Sequence, residues 1–497
     1  MSQGLNVPRP SNRTSFRFFR IVLSACAASM AACASMPSHE PAPLPAPDSY
    51  KLDRQAKAAL ASESFTRGDW PSAEWWRLFG DPQLDQLIAQ ALADNPDIRI
   101  ARFRVQLAQQ TAAAVHAGNL PQVSGNADVT REKYSENWII PPEIASKPLT
   151  QGAISLDAGL DLDLWSRNRD LYRARLNEVQ ASAAEQAETR LVISAALARA
   201  YFRWQGNLIR LELARAAVVE RQDFGKLVRL RAAHGLETQA AVEQAEADVA
   251  RDQAYVTQLD LVVQGDRREI AALMGRGPSE ADAILAPASR FDQSFPVPEI
   301  LPIDLLSRRP DVTAQRWRVE AAARAVGAAK AGFYPNINIA GSIGLQSLDF
   351  KDLFKSGSGF GSIGPAIHLP IFDGGQLRAN LGAARAEYDI AVEQYHRALV
   401  NATRDVADRL AAVRSLAQEQ THQAQALAHS EEAYRIARLR YQEGIADYLS
   451  VLLAQRDLLR QRDANAQLDE ARMEATLGLI KSLGGGYVGM NMPAARS

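Results

Sequence analysis

Seven histidines, His39, His116, His234, His368, His396, His422 and His429, are the residues best suited to metal binding or proton transfer. None of their spacings matches the paired ligands of a zinc-protease helix, and His422 with His429 reads as a solvated stripe on one helix face. Gly357-Ser358-Gly359 lacks the lysine and the context of a phosphate-binding loop. No nucleophile–base constellation is visible, so no enzyme, metal or cofactor is expected. Asp157, Asp161 and Asp163 alternate along one short segment, where repeated carboxylates could select ions by charge. The same three equally fit a solvated polar wall.

The thiols carry a clearer chemistry. Cys26 and Cys33 are the only cysteines, which excludes a disulfide framework. Arg13, Arg17 and Arg20 precede an apolar, small-residue run from Ile21 to Ala32, the layout of an export signal. Met30-Ala31-Ala32-Cys33 resembles a lipobox, where cleavage exposes a cysteine for acylation. Cys26 is too close to Arg20 for the same role, and ordinary cleavage without lipid is the alternative. Ala34 after the cysteine resembles an outer-membrane sorting signal. The proline-rich stretch from Ser35 to Pro47 reads as an extended tether.

A formal net charge of −1 excludes a general nucleic-acid footprint. Beyond the signal, no apolar run is long enough for a membrane helix. Four segments nevertheless alternate with a period of two. Val123, Gly125, Ala127 and Val129 oppose Gln122, Ser124, Asn126, Asp128 and Thr130. Ile154, Leu156, Ala158, Leu160, Leu162 and Leu164 oppose Ser155, Asp157, Gly159, Asp161 and Asp163. Ile337, Ile339, Gly341, Ile343 and Leu345 form a third apolar face, and Ile363, Pro365, Ile367, Leu369 and Ile371 a fourth. Segments of about ten such residues fit membrane-barrel strands, and equally fit hairpins of a soluble sheet. In lipid, four strands with open edges require further copies of the chain; three copies would supply twelve.

Long helices must carry these strands. Asn168 to Ala233 and Gln376 to Glu443 are free of proline, each about 100 Å long if helical. Return helices follow Gly235 and Gly444, with Asp447 as a candidate cap. Shorter helices from Pro96 to Ala117 and Pro310 to Ala331 enter each strand pair. Such lengths need partners throughout, either in a helical wall or in a dimeric coiled coil.

The whole arrangement occurs twice. Asn95-Pro96-Asp97-Ile98 returns as Arg309-Pro310-Asp311-Val312, and Asn119-Leu120-Pro121-Gln122-Val123 as Phe333-Tyr334-Pro335-Asn336-Ile337. His234-Gly235-Leu236 likewise returns as Glu443-Gly444-Ile445. The reading divides the chain into a signal at 1–32, a lipidated tether and equatorial segment at 33–74, and a first copy at 75–276. An inter-repeat segment at 277–303, a second copy at 304–487 and a tail at 488–497 complete it.

From about Trp75 to Tyr487 the chain resembles the TolC-type outer-membrane efflux channels, particularly the lipidated OprM/NodT-like branch. Trp76-Arg77-Leu78-Phe79-Gly80-Asp81-Pro82-Gln83-Leu84 looks like that family's opening motif, and Leu301 to Val312 like its central signature. Phe333-Tyr334-Pro335, Leu369-Pro370-Ile371-Phe372-Asp373-Gly374-Gly375 and Leu483-Gly484-Gly485-Gly486-Tyr487 also match. The resemblance implies an α+β membrane protein, a homotrimer with a 12-stranded β-barrel of four strands per chain. A long periplasmic α-helical barrel continues it, and the internal repeat gives each chain two-fold structural symmetry. A passive exit duct follows, served by a periplasmic adaptor and an inner-membrane pump of the resistance-nodulation-division type. A protein-secretion duct and a non-pore, lipid-anchored coiled-coil spacer are the alternatives.

By the same resemblance, Gly235 with Leu236 and Gly444 with Ile445 lie at the adaptor-facing turns. Tyr441 matches a tyrosine that holds the closed gate, and Leu449 an apolar constriction residue. Ser450 and Leu453 depart from the family, which often places aspartates there. A gate formed by Leu449 and Leu453 is one reading; packing against a neighbouring helix is the other. The second copy alone has Tyr441, Leu449 and Leu453, where the first has Ala232, Ala240 and Gln244.

Overall fold

A computed structural model describes residues 40–43, 52–60, 66–67, 70–137, 139, 141–287, 296–297 and 308–489. Cys33, the signal, most of the tether and residues 301–307 of the central signature lie outside the described residues. Among the described residues no helix is long and apolar enough to cross a membrane.

The helices are α1 (Arg54–Leu60), α2 (Pro82–Asp94), α3 (Pro96–Ala117), α4 (Pro142–Ala145), α5 (Arg167–Ala233), α6 (Gln239–Leu273), α7 (Pro310–Ala331), α8 (Gln376–Gln442) and α9 (Tyr448–Ser482). The strands are β1 (Thr66–Arg67), β2 (Gln122–Glu132), β3 (Leu149–Asp161), β4 (Pro296–Val297), β5 (Asn336–Ser347) and β6 (Gly359–His368). The repeat is visible in the lengths: α3 and α7 each have 22 residues, α5 and α8 have 67, α6 and α9 have 35. Proline opens α3 and α7 because the first helical position needs no N–H.

Two compact units cut across the two copies. The first holds residues 108–179 and 318–393. Its centre is an antiparallel sheet of order β2-β3-β5-β6. Gln122 pairs with Gly159, Asp161 with Asn338, and Asn336 with His368, so both hairpins share one register frame. Val123, Leu156, Ile343 and Ile363 fall on one exposed face. Among the described residues neither β2 nor β6 has a second neighbour. The alternation stops sooner than the sequence suggests. Strand β3 ends at Asp161 and β6 at His368, so Leu162, Leu164, Leu369 and Ile371 lie beyond the strands.

The second unit holds residues 44–107, 180–317 and 394–497. Trp75, Tyr201, Trp204, Leu84, Ile88, Ile98 and Ile270 are fully buried in its main core. Side chains of this size each contribute roughly 1.5–3 kcal/mol on burial. The opening motif acts at this point. Gly80 turns the chain at φ 61°, and Asp81 caps α2 by accepting from the N–H groups of Gln83 and Leu84. The Tyr201 hydroxyl donates to Asp81 at 2.6 Å. The inter-repeat segment contributes β4, which pairs in parallel with β1.

The C-terminal glycines have a steric cause. Gly484 has φ 89°, and a Cβ there would lie 2.0 Å from the Arg308 carbonyl oxygen. A Cβ on Gly486, φ 77°, would lie 2.1 Å from Ser72 backbone atoms.

Candidate functional site: helical tips and an open-edged sheet

In the second unit, both long helices end on a glycine in the left-handed region, Gly235 at φ 71° and Gly444 at φ 74°. The N–H of Leu236 donates to Arg231 O at 2.9 Å, and that of Ile445 to Arg440 O at 2.8 Å. This six-residue closure satisfies carbonyls that a helix end leaves free. Thr238 and Asp447 then cap the return helices, accepting from Ala241 N–H and Ser450 N–H. Leu236 and Ile445, the adaptor-facing candidates, are exposed at matching places in the two copies.

Tyr441 is fully buried. Its ring lies 5.2 Å from Phe224 and 6.4 Å from Tyr448, while Phe224 stacks on Tyr448 at 5.9 Å. The Arg231 guanidinium sits 4.7 Å from the Tyr441 ring and donates to Tyr441 O at 3.0 Å. The Tyr441 hydroxyl donates to Glu237 at 3.2 Å. Burial first, and the Glu237 charge second, push the phenol up to about 12. Tyr441 therefore ties the second-copy turn to the first-copy turn within one chain.

Leu449 and Leu453 stand one helical turn apart on α9, both more than half exposed. Ser450, between them, gives its N–H and hydroxyl to Asp447 at 3.0 and 2.5 Å. Those bonds hold the Asp447 carboxyl below the usual carboxylate range. Sequence reasoning missed Glu237 and Arg231. The available signal was that the equivalent of Glu237 in the second copy is Ala446, so the first-copy turn alone has a carboxylate at that position.

In the first unit, Asp157 accepts from Asn126 Nδ2 and from the Ser155 hydroxyl, both at 2.7 Å, on the polar sheet face. Asp161, the last residue of β3, accepts from Asn168 Nδ2 at 3.1 Å. Asp163 departs from the lumen reading. It lies beyond the strand at φ 46° and accepts from the backbone N–H groups of Asn168 and Arg169, both at 2.9 Å. Its carboxylate is committed to the start of α5, where the helix leaves those donors unpaired. Among the described residues there is no metal-ligating cluster.

A sheet with open edges, apolar on one face, joined to helices of this length is the design of an outer-membrane channel protein. The comparisons agree: residues 87–276 and 301–485 match the model of the outer membrane efflux protein family, and the chain belongs to it. The fusaric acid resistance protein FusA of Burkholderia cepacia is 36% identical over 72% of this chain and 67% of its own length. The multidrug resistance outer membrane protein MdtP of Escherichia coli is 32% identical over 84% of this chain and 87% of its own. The crystal structure of VceC from Vibrio cholerae matches with a TM-score of 0.79 and 36% identity, covering 84% of this chain and all of VceC. The protein is thus an outer-membrane efflux channel component of TolC-type fold, extending into the periplasm. The family consists of channels, not enzymes.

Proposed function

We propose that three chains close one pore. Each would pair its β6 edge with the β2 edge of the next, giving a twelve-stranded barrel continued by a helical one. The observation that carries this reading is the four-stranded sheet whose apolar face is exposed and whose outer strands lack a second partner among the described residues. In lipid those edges must be paired. The copies run at 75–276 and 304–487, and acylated Cys33 adds an anchor. Solutes enter from a periplasmic adaptor that meets Leu236 and Ile445, fed by an inner-membrane pump of the resistance-nodulation-division type. The cargo is small organic toxicants, as the names of FusA and MdtP suggest for those relatives. Leu449 and Leu453 narrow the inner end of the duct, with Tyr441 holding its turn closed. Asp157 and Asp161 bias the barrel towards cations.

The deciding experiment joins structure to transport. Purified chain should run as a heat-modifiable trimer and conduct in a planar bilayer, and deletion of the gene should sensitise cells to a compound panel. A monomer that never conducts would sink the pore. Cross-linking through cysteines at Leu236 and Ile445 identifies the adaptor. Loss of palmitate incorporation in Cys33→Ser tests the anchor.

A further inference from the structure

Strand register aligns the polar face of the sheet into rows that run across all four strands. One row is Asn126, Ser155, Gly344 and Phe360. Phe360 breaks the pattern of its face. Among the described strand residues it is the only phenyl ring there, set among polar and small side chains, with Leu149 at the hairpin end and His368 at the helix end. Its seat is specific. A Cβ on Gly344 would collide with the Ile154 carbonyl oxygen and lie 3.0 Å from Phe360 Cε1. No side chain can stand at 344, so the half-buried ring leans on bare backbone. The neighbouring row is Ser124, Asp157, Ser342 and Ser362. Its carboxylate is drawn towards the Phe360 row, because Asn126 Nδ2 and the Ser155 hydroxyl both donate to Asp157 at 2.7 Å. Ser155 and Phe360 are two strands apart, about 10 Å at the usual spacing.

We propose that Phe360 and Asp157 form a cargo-contact site for flat aromatic cations on the wall that the barrel turns inward. A phenyl face stacks an aromatic ring in offset or edge-on geometry, and its quadrupole attracts positive charge. The carboxylate two strands away takes the cationic group of the same molecule. Asp157 alone favours any cation; the ring adds selection for aromatic ones. Shielding the Gly344 backbone from water needs an apolar group but not an aromatic one, so the two roles separate by substitution. Three chains would place three such sites at one level around the axis. This inference deepens the proposed duct and rests on the sheet closing into its barrel.

The test uses heat-modifiable trimers of the full chain in detergent and follows proflavine, a flat aromatic cation, by fluorescence polarisation. Phenyltrimethylammonium and cyclohexyltrimethylammonium, equal in charge and close in size, then compete with it. The phenyl compound should displace proflavine at a concentration roughly three- to ten-fold lower. Phe360→Leu, which still covers Gly344, should remove that difference, and Phe360→Trp should keep it. Asp157→Asn should weaken both competitors alike. If Phe360→Leu retains the preference, or if trimers that conduct in a bilayer bind no proflavine, the site is wrong and the duct stands. If the chain neither trimerises nor conducts, the duct falls and the site with it.

Discussion

At the scale of single residues, Tyr441 makes the sharpest prediction. Its pKa is raised by burial and by Glu237, so the folded tip keeps its proton longer than an unfolded chain does. The tip contact is therefore fully present below the ordinary tyrosine value of about 10. It weakens as pH rises towards about 12. Conductance in bilayers should stay low through neutral pH and rise in that alkaline window. Tyr441→Phe should remove the alkaline step and raise conductance at neutral pH, through loss of a contact worth about 1–2 kcal/mol. Equal conductance of wild type and variant at all pH values would refute the tie. Leu453→Asp or Leu449→Ala should likewise alter single-channel conductance if these residues line the constriction. Gly484→Ala should destabilise the fold by more than the roughly 1–2 kcal/mol of a left-handed residue. The added carbon also meets the Arg308 carbonyl, and the loss is read as a lower melting temperature. Much at this scale was legible: Asp447 as a cap and Gly235 and Gly444 as turns follow from residue type alone. Asp163 was not, because its position continues the strand's period of two and only its backbone angle takes it out of the strand.

At the scale of elements, the two hairpins of long helices are alike in length and unlike in cohesion. Helix α5 is pinned to α6 by Arg203 on Asp266 and Glu269, Arg215 on Asp260, Arg221 on Asp248 and Asp252, and Arg229 on Glu246. Between α8 and α9 the links among the described residues are mostly hydrogen bonds from uncharged donors: Gln423 to Gln461, Ser430 to Asp457 and Gln420 to Asp469, with Arg462 to Glu431 an ion pair. Arg221 and Asp248 are buried, so Arg221→Met should destabilise the hairpin, by less than the roughly 3–5 kcal/mol of a fully stranded buried charge because Asp248 keeps Arg251 and Gln244. Thermal unfolding of the protein measures it, and replacing Asp248 and Asp252 by apolar residues as well should recover most of the loss. None of this ladder was visible in the sequence, because apolar spacing says where helices run and not which charges meet across them. Helix starts were visible, since Pro96 and Pro310 can only open helices at those points.

At the scale of the whole molecule, the sheet's amphipathic alternation and the repeat were readable from residue types and spacing. The edges were readable by subtraction: two hairpins cannot close on themselves. Ion selectivity belongs to this scale. With Asp157 and Asp161 repeated around an axis, reversal potentials in asymmetric salt should show cation preference, and Asp157→Asn should weaken it. Anion preference in the wild type would rule out the charged ring.

The unpaired edges of β2 and β6 also bear on how the channel is made. A lone chain cannot enter lipid without exposing two rows of bare peptide groups. If three chains close one pore as proposed, insertion and association are a single kinetic event, with a rate that climbs steeply with chain concentration. A cell that makes too little of this protein should accumulate periplasmic monomers instead of smaller pores, so channel number should respond to expression as a threshold.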